Sequence, residues 1–278
     1  MRLAISNIAW DVAEDEAIAL LLHRYGVDAI DVAPGKYFPE PAKATEEDVD
    51  CVKNWWAARG IEITGMQALL FGTSSLNIFG SPEVQDAMLQ HLDAVCRIGA
   101  GLGAKRLVFG SPKNRDRTGL SDQQTLDVAI PFFQRLGGIA EKHGVLICLE
   151  PNPTCYGANF MTTSAETANV VRQVAHPAIK MQLDTGALAI NGEDSTVVLR
   201  DCATLIGHIH ASEPDLLPLG DGSTEHGKVV EALVQYLPNH VVSIEMLATK
   251  NEPHIVSIER ALSIAIRHYR NNSTGVNA

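Results

Sequence analysis

Two histidines lie one residue apart in an apolar run of the sequence. The segment IGHIHASE, residues 206–213, contains His208 and His210. Side chains alternate between the two faces of a β-strand, so both imidazoles are expected on the same face. Histidine is the commonest metal ligand in proteins, which makes this strand a candidate metal-binding element. The neighbouring strands decide which histidine is the ligand.

Carboxylates end three other apolar runs of the chain. LICLE ends at Glu150, KMQLD at Asp184 and VVSIE at Glu245, and the run described above ends at His210. Each acid alone is most simply a solvated strand end or a helix cap. If four consecutive strands bring these groups to one edge, the three carboxylates need a cation to offset their repulsion. Three carboxylates and one imidazole predict one divalent metal ion, with Mn²⁺ favoured over Mg²⁺, Co²⁺ and Zn²⁺.

The elements that must position these groups follow from an alternation of short and long patterns. Five stretches have helical spacing: 15–26, 82–103, 122–144, 164–175 and 252–269. Eight nearly continuous apolar runs are typical of parallel strands buried on both faces: 2–9, 27–33, 61–69, 105–110, 145–150, 179–184, 206–211 and 241–246. This α/β pattern predicts a single (β/α)8 TIM barrel over residues 1–270, with 271–278 as a disordered tail. The rival is a doubly wound open sheet, but no G-x-G-x-x-G turn follows the first strand.

Composition excludes several classes of protein. The 278 residues carry a net charge of −11, which disfavours nucleic acid as a partner. The five cysteines show no C-x-x-C spacing, which is typical of buried thiols in a reducing compartment. The start, MRLAISNIAW, predicts a first strand instead of a signal peptide, and no apolar run approaches the roughly 20 residues of a membrane span. We expect a cytoplasmic protein with no membrane partner, compatible with a homo-oligomer.

Four motifs resemble those of the sugar phosphate isomerase/epimerase family. They are EP (150–151), LDTG (183–186), HIHASE (208–213) and SIE (243–245). This xylose-isomerase-like group of TIM barrels includes ketohexose 3-epimerases and hydroxypyruvate isomerase. The resemblance implies a small carbohydrate substrate and one divalent metal held by four residues. Those residues are Glu150, Asp184, His210 and Glu245, and in the epimerase branch the residues matching Glu150 and Glu245 are also the catalytic acid/base pair.

The expected reaction is isomerisation or epimerisation of a sugar or sugar-like keto compound. A carboxylate removes a proton next to a carbonyl, and a metal stabilises the resulting enediolate. The alternative is a metal-dependent dehydratase of inosose or dehydroshikimate type on the same scaffold. A DNA-repair endonuclease of this barrel type would need more histidine ligands and a basic groove. A non-catalytic binding barrel would not need both acids.

Substrate contacts are expected at other strand ends, at positions that also have plainer interpretations. Trp10 could form a sugar-facing wall or pack in the core, while Gln67 and Asn152 could bind hydroxyls or loop backbone. Glu213 could bind substrate, orient a ligand or be solvated. Tyr156 replaces an acid that the ketohexose 3-epimerases carry, and they have histidine and arginine where this chain has Ala187 and Leu216. These departures argue against a standard tagatose or psicose epimerase.

The histidine pair is expected to divide its roles. His210 lies at the level where the three carboxylates end their strands, so it is the predicted ligand. His208 should lie one layer deeper, as an interior residue that supports the site from behind.

Overall fold

Eight parallel strands close into a barrel in the computed structural model, which describes residues 1–270. Each strand pairs with the next along the chain, and β1 pairs with β8 to complete the ring. The strands are β1 Arg2–Ser6, β2 Ala29–Val32, β3 Glu62–Met66, β4 Arg106–Phe109, β5 Leu146–Leu149, β6 Ile179–Asp184, β7 Ile206–Ser212 and β8 Val241–Glu245. The predicted (β/α)8 barrel is therefore confirmed. The predicted tail at 271–278 lies outside the described residues.

Helices connect the strands around the outside of the barrel. The five predicted helices are present among the described residues, and four further helices join them. The bounds are α1 Asp15–Arg24, α2 Glu46–Ala57, α3 Pro82–Leu102, α4 Asp122–His143, α5 Ser164–Val174, α6 Thr185–Asn191, α7 Ser195–Cys202, α8 His226–Tyr236 and α9 His254–Ala265, the last extended by a π-turn over Ile266–Arg270.

Local signals explain where the longest helix begins and ends. Ser121 and Gln124 form a capping box at the start of α4, so their side chains satisfy backbone N–H groups that the first turn leaves free. The helix runs through Pro131 and ends at Gly144, whose φ of 67° is easily adopted only without a side chain. Within the described residues, no helix is long and apolar enough to cross a membrane.

Strand register sets the level of each side chain inside the barrel. On β6 and β7, Asp184 pairs with His210, and Gln182 pairs with His208. Two polar layers therefore stack along the barrel axis, one at the carboxyl ends of the strands and one immediately beneath it. Both layers are buried within the described chain. Polar groups in a barrel interior must find partners there, and the carboxyl ends of the strands are where TIM-barrel enzymes carry their active sites.

Candidate metal centre

Four ionisable side chains converge at the carboxyl ends of β5 to β8. Nδ1 of His210 lies 3.2 Å from a Glu245 oxygen, 3.6 Å from a Glu150 oxygen and 3.9 Å from an Asp184 oxygen. One ligand atom from each residue lies within 4.8 Å of all the others. The four residues that the strand ends singled out are therefore neighbours in space.

Each carboxylate directs one oxygen to this centre and has its other oxygen held by a hydrogen bond. The outer oxygen of Glu245 accepts from the Gln67 amide at 2.5 Å, and that of Glu150 accepts from the Asn152 amide at 3.0 Å. The outer oxygen of Asp184 accepts from the backbone N–H of Ala187 at 2.6 Å. Partners of this kind restrict the rotation of a ligand and so favour metal binding.

The electrostatics of the cluster fit a bound cation. Burial and the neighbouring carboxylates of Glu245 and Glu150 raise the pKa of Asp184 to about 8. Burial opposes a charge on His210, but the two glutamates raise the pKa of its imidazole well above the usual range. Without a metal, the cluster therefore holds protons where a cation would supply positive charge. Three carboxylates and an imidazole fit a divalent cation.

The centre is reached from the loop side of the barrel. The side chains of Glu150, Glu245 and Asp184 are 14%, 10% and 9% exposed, whereas His210 is fully buried beneath them. Solvent or a small molecule therefore meets the carboxylates first.

Glycines make room for these acids. A methyl group at Gly110, directly after β4, would overlap the outer oxygen of Glu150. A methyl group at Gly186 would lie 2.8 Å from the Glu213 carbonyl oxygen and 3.0 Å from the Ser212 hydroxyl. That hydroxyl donates to Asp184 at 2.7 Å. A side chain at Gly186 would meet backbone, and one at Gly110 would displace the Glu150 carboxylate, so glycine at both positions lets the carboxylates lie where they do.

The family follows from the sequence match to known families. The model of the xylose isomerase-like TIM barrel family matches residues 20–270. The chain belongs to this family. A protein of Danio rerio, provisionally named a hydroxypyruvate isomerase, is 26% identical over 167 residues. The match covers 55% of this chain and 60% of the relative, so it spans less than two thirds of that protein.

Solved structures of several other proteins have the same fold. D-psicose 3-epimerase from Clostridium cellulolyticum H10, solved with D-tagatose, is 19% identical with a TM-score of 0.80, and the match covers 97% of this chain and 99% of that one. An L-ribulose 3-epimerase is 16% identical with a TM-score of 0.81, at coverages of 100% and 98%. The zinc-bound IolI protein is 18% identical with a TM-score of 0.76, at 97% and 98%. At these identities, the likeness establishes the fold.

Two of the expected substrate contacts hold the carboxylates. Gln67 and Asn152 donate to Glu245 and Glu150, as described above. Their sequence signal, a polar residue just past a strand end, does not distinguish a substrate contact from a partner of a metal ligand. Direct binding of substrate by either amide stays a prediction.

The other three expected contacts lie in varied surroundings. Trp10 is fully buried, packs edge-on against Trp56 and donates its indole N–H to Asp15 at 2.7 Å. The Tyr156 hydroxyl accepts the backbone N–H of Asp215 at 2.7 Å, which joins the loops after β5 and β7, and the side chain remains partly exposed. A substrate contact by either residue stays a prediction.

Glu213 is a loop anchor in this structure. Its side chain is buried and accepts hydrogen bonds from the backbone of Gly220 and Thr224, both at 2.9 Å, and from His226 at 3.0 Å. Burial raises the pKa of a carboxyl, but these donors hold the pKa of Glu213 at about 2. Both oxygens of its carboxylate are engaged within the protein. Its expected contact with substrate stays a prediction.

The sequence interpretation missed Arg115. The run KNRDR, residues 113–117, is typical of a solvated basic loop, but its Arg115 is completely buried. It donates to the backbone carbonyl of Glu150 at 2.7 Å, and its Nε and Nη2 have no hydrogen-bond partner among the described residues. Burial lowers the pKa of the guanidinium to about 10, with Glu150 and Glu166 opposing the shift. A buried positive charge therefore lies directly behind a candidate ligand.

His208 lies in the layer beneath the centre, and its ring meets that of His210 edge-on, 4.9 Å between centroids. Its Nε2 lies 2.8 Å from the carboxylate of Asp31. Burial lowers the pKa of His208 and raises that of Asp31, but the interaction with His208 holds the Asp31 pKa at about 2. Nε2 of His208 therefore donates to an ionised carboxylate.

Proposed function

We propose that this protein is a divalent-metal-dependent isomerase or epimerase of a small sugar or sugar-like keto compound. The observation that carries the proposal is the cluster of three inward carboxylate oxygens around His210 Nδ1. Glu150, Asp184, His210 and Glu245 would hold the ion. When bound, a divalent cation supplies Lewis-acid polarisation of a substrate carbonyl.

Proton transfer is assigned to Glu150 and Glu245. They end β5 and β8, with β6 and β7 between them in the ring, so they reach the centre from well-separated directions. One carboxylate can remove a proton next to a carbonyl while the other returns a proton from a second direction, which inverts that carbon. If the same carboxylate returns the proton to the neighbouring carbon, the outcome is aldose–ketose isomerisation.

Hydrogen bonds from two amide side chains hold these carboxylates in place for proton transfer. Gln67 and Asn152 hold the outer oxygen of each glutamate, so neither carboxylate has to be ordered when substrate arrives. The names of the structural neighbours support ketoses as the first compounds to test, and the Danio rerio relative supports hydroxypyruvate.

Exchange of substrate hydrogen with solvent tests the proposal. The Mn²⁺-loaded protein is incubated in D₂O with D-tagatose, D-psicose, L-ribulose and hydroxypyruvate, and NMR follows deuterium at the carbon next to the carbonyl. We expect incorporation that disappears with chelator and falls at least 10²-fold in Glu245→Gln and Glu150→Gln.

The matched control is Glu231→Gln, which removes the same charge at an exposed position of α8 and should exchange like wild type. Exchange that survives both chelator and the two site substitutions would contradict the assignment. Loss of a hydroxyl with formation of an unsaturated ketone would instead support the dehydratase alternative.

A further inference from the structure

The carboxylate of Asp31 lies beneath the candidate centre and contacts His208, whose ring packs against His210. Asp31 on β2 lies opposite β7 in the barrel interior, and its carboxylate is 1% exposed. One of its oxygens contacts Nε2 of His208 at 2.8 Å, and the other accepts from the Thr64 hydroxyl at 3.0 Å. Both oxygens of a buried carboxylate are thus used to fix its position.

The third strand is shaped to accommodate Asp31. Gly65 pairs with Asp31 in the parallel register, and a methyl group at Gly65 would lie 2.6 Å from the Asp31 carboxylate. Real side-chain carbons do not approach an oxygen this closely, so only glycine allows the carboxylate to occupy this place. The position of the acid is therefore built into two strands.

Gln182 ties His208 to His210. The Gln182 amide nitrogen lies 3.0 Å from Nδ1 of His208 and donates to it in the orientation that gives both amide atoms a partner. In this orientation the amide nitrogen also donates to the His208 carbonyl at 3.0 Å, and the amide oxygen accepts the His210 backbone N–H at 3.2 Å. The backbone between the two histidines is thereby held at both ends.

We propose that Asp31 is a positioning residue for the metal centre: by fixing the His208 ring, it fixes the plane of the His210 imidazole that packs edge-on against it. His210 Nε2 has no hydrogen-bond partner among the described residues, so on the inner side of the ring only packing and Gln182 restrain it. The Gln182 amide oxygen accepts from His210 Nδ1 at 3.1 Å, and the His208 ring packs against the His210 ring at 4.9 Å between centroids and 88° between planes. Both of these supports contact His208, whose position Asp31 fixes. This inference rests on the proposed function, because it assigns the centre a metal.

Metal binding measured without turnover tests this role. Asp31→Ala removes the acceptor for His208, and Asp31→Asn removes the charge while keeping an oxygen. We expect Mn²⁺ affinity, measured by calorimetry, to fall about 10- to 100-fold in Asp31→Ala and less in Asp31→Asn. The visible absorption of the Co²⁺-loaded protein should change in both, because it reports ligand geometry.

The matched control is Asp28→Ala, which removes an exposed acid beside the opposite end of β2. It should match wild type in affinity and Co²⁺ spectrum. If Asp31→Ala binds Mn²⁺ with wild-type affinity and an unchanged Co²⁺ spectrum, Asp31 is only a structural residue and the inference is overturned. If wild type binds no Mn²⁺, the proposed function falls, and this inference with it.

A measurement on wild type covers the case in which the substituted proteins do not fold. ¹⁵N NMR of the metal-free protein should show a proton on Nε2 of His208, donated to the Asp31 carboxylate. An unprotonated Nε2 would leave Asp31 without this donor and overturn the inference.

Discussion

The four candidate ligands could be predicted as a group but not one by one, and their partners could not be predicted. A carboxylate or histidine that ends an apolar run lies at the rim of a barrel, and only the succession of Glu150, Asp184, His210 and Glu245 on four consecutive strands indicated a shared centre. The contact between Gln67 and Glu245 joins residues 178 positions apart, and no local pattern records it.

A substitution at Gly110 tests whether metal binding depends on the position of the Glu150 carboxylate. We expect Gly110→Ala to displace the Glu150 carboxylate, because the added methyl group would overlap its outer oxygen. Mn²⁺ affinity measured by calorimetry should fall at least 10-fold. Gly138→Ala is the control, since its methyl group meets nothing within 4 Å on the exposed face of α4, and it should raise stability by about 0.5–1 kcal/mol. Equal affinities for the two variants would show that Glu150 tolerates displacement.

At the scale of elements, one helix that the sequence interpretation missed directly follows a site residue. α6 begins at Thr185, immediately after Asp184, and the same aspartate caps it through the N–H of Ala187. With no turn between strand and helix, LDTGALAI has no signal that separates the two elements. Ala187 is at the position where ketohexose 3-epimerases carry a histidine. It therefore lies in the buried first turn of α6, where its backbone N–H donates to Asp184.

The ionised carboxylate of Glu213 holds the loop between β7 and α8. We therefore expect the stability of the protein to depend on the charge of this carboxylate as the pH falls. The pKa of Glu213 is about 2 in the folded protein and near 4.5 when unfolded. The unfolded chain therefore takes up the proton first, so the stabilisation is complete above pH 4.5 and is lost as pH falls from 4.5 to 2. Glu213→Gln should lower the free energy of unfolding at pH 7 by about 2 kcal/mol.

Urea unfolding at pH 7, 4 and 3 checks this prediction. The difference between wild type and Glu213→Gln should shrink as the pH falls. Glu225→Gln, an exposed acid at the end of the same loop, should track wild type throughout. A difference that stays constant with pH would mean that the charge of Glu213 does not stabilise the loop.

At the scale of the whole molecule, the barrel was predictable because its signals repeat. Eight apolar runs separated by segments with helical spacing are compatible with few other architectures. An error in the bounds of one element does not change the number of predicted strands. The burial of Arg115 was not predictable, because a basic run is typical of a solvated loop and only the packed barrel places this guanidinium behind Glu150.

The candidate centre joins four strands of the barrel, so its metal should stabilise the entire fold. A cation at saturating concentration, about 100 times its Kd, adds about 3 kcal/mol to the free energy of unfolding. For a chain of this size, the thermal midpoint should rise by about 5–10 °C with Mn²⁺ and fall again with chelator. The Glu150→Gln/Glu245→Gln double variant should lose most of this shift, because two of the four ligands no longer carry charge. An equal shift in the double variant would place the stabilising ion elsewhere, for example at the surface cluster of Asp11, Glu14 and His254.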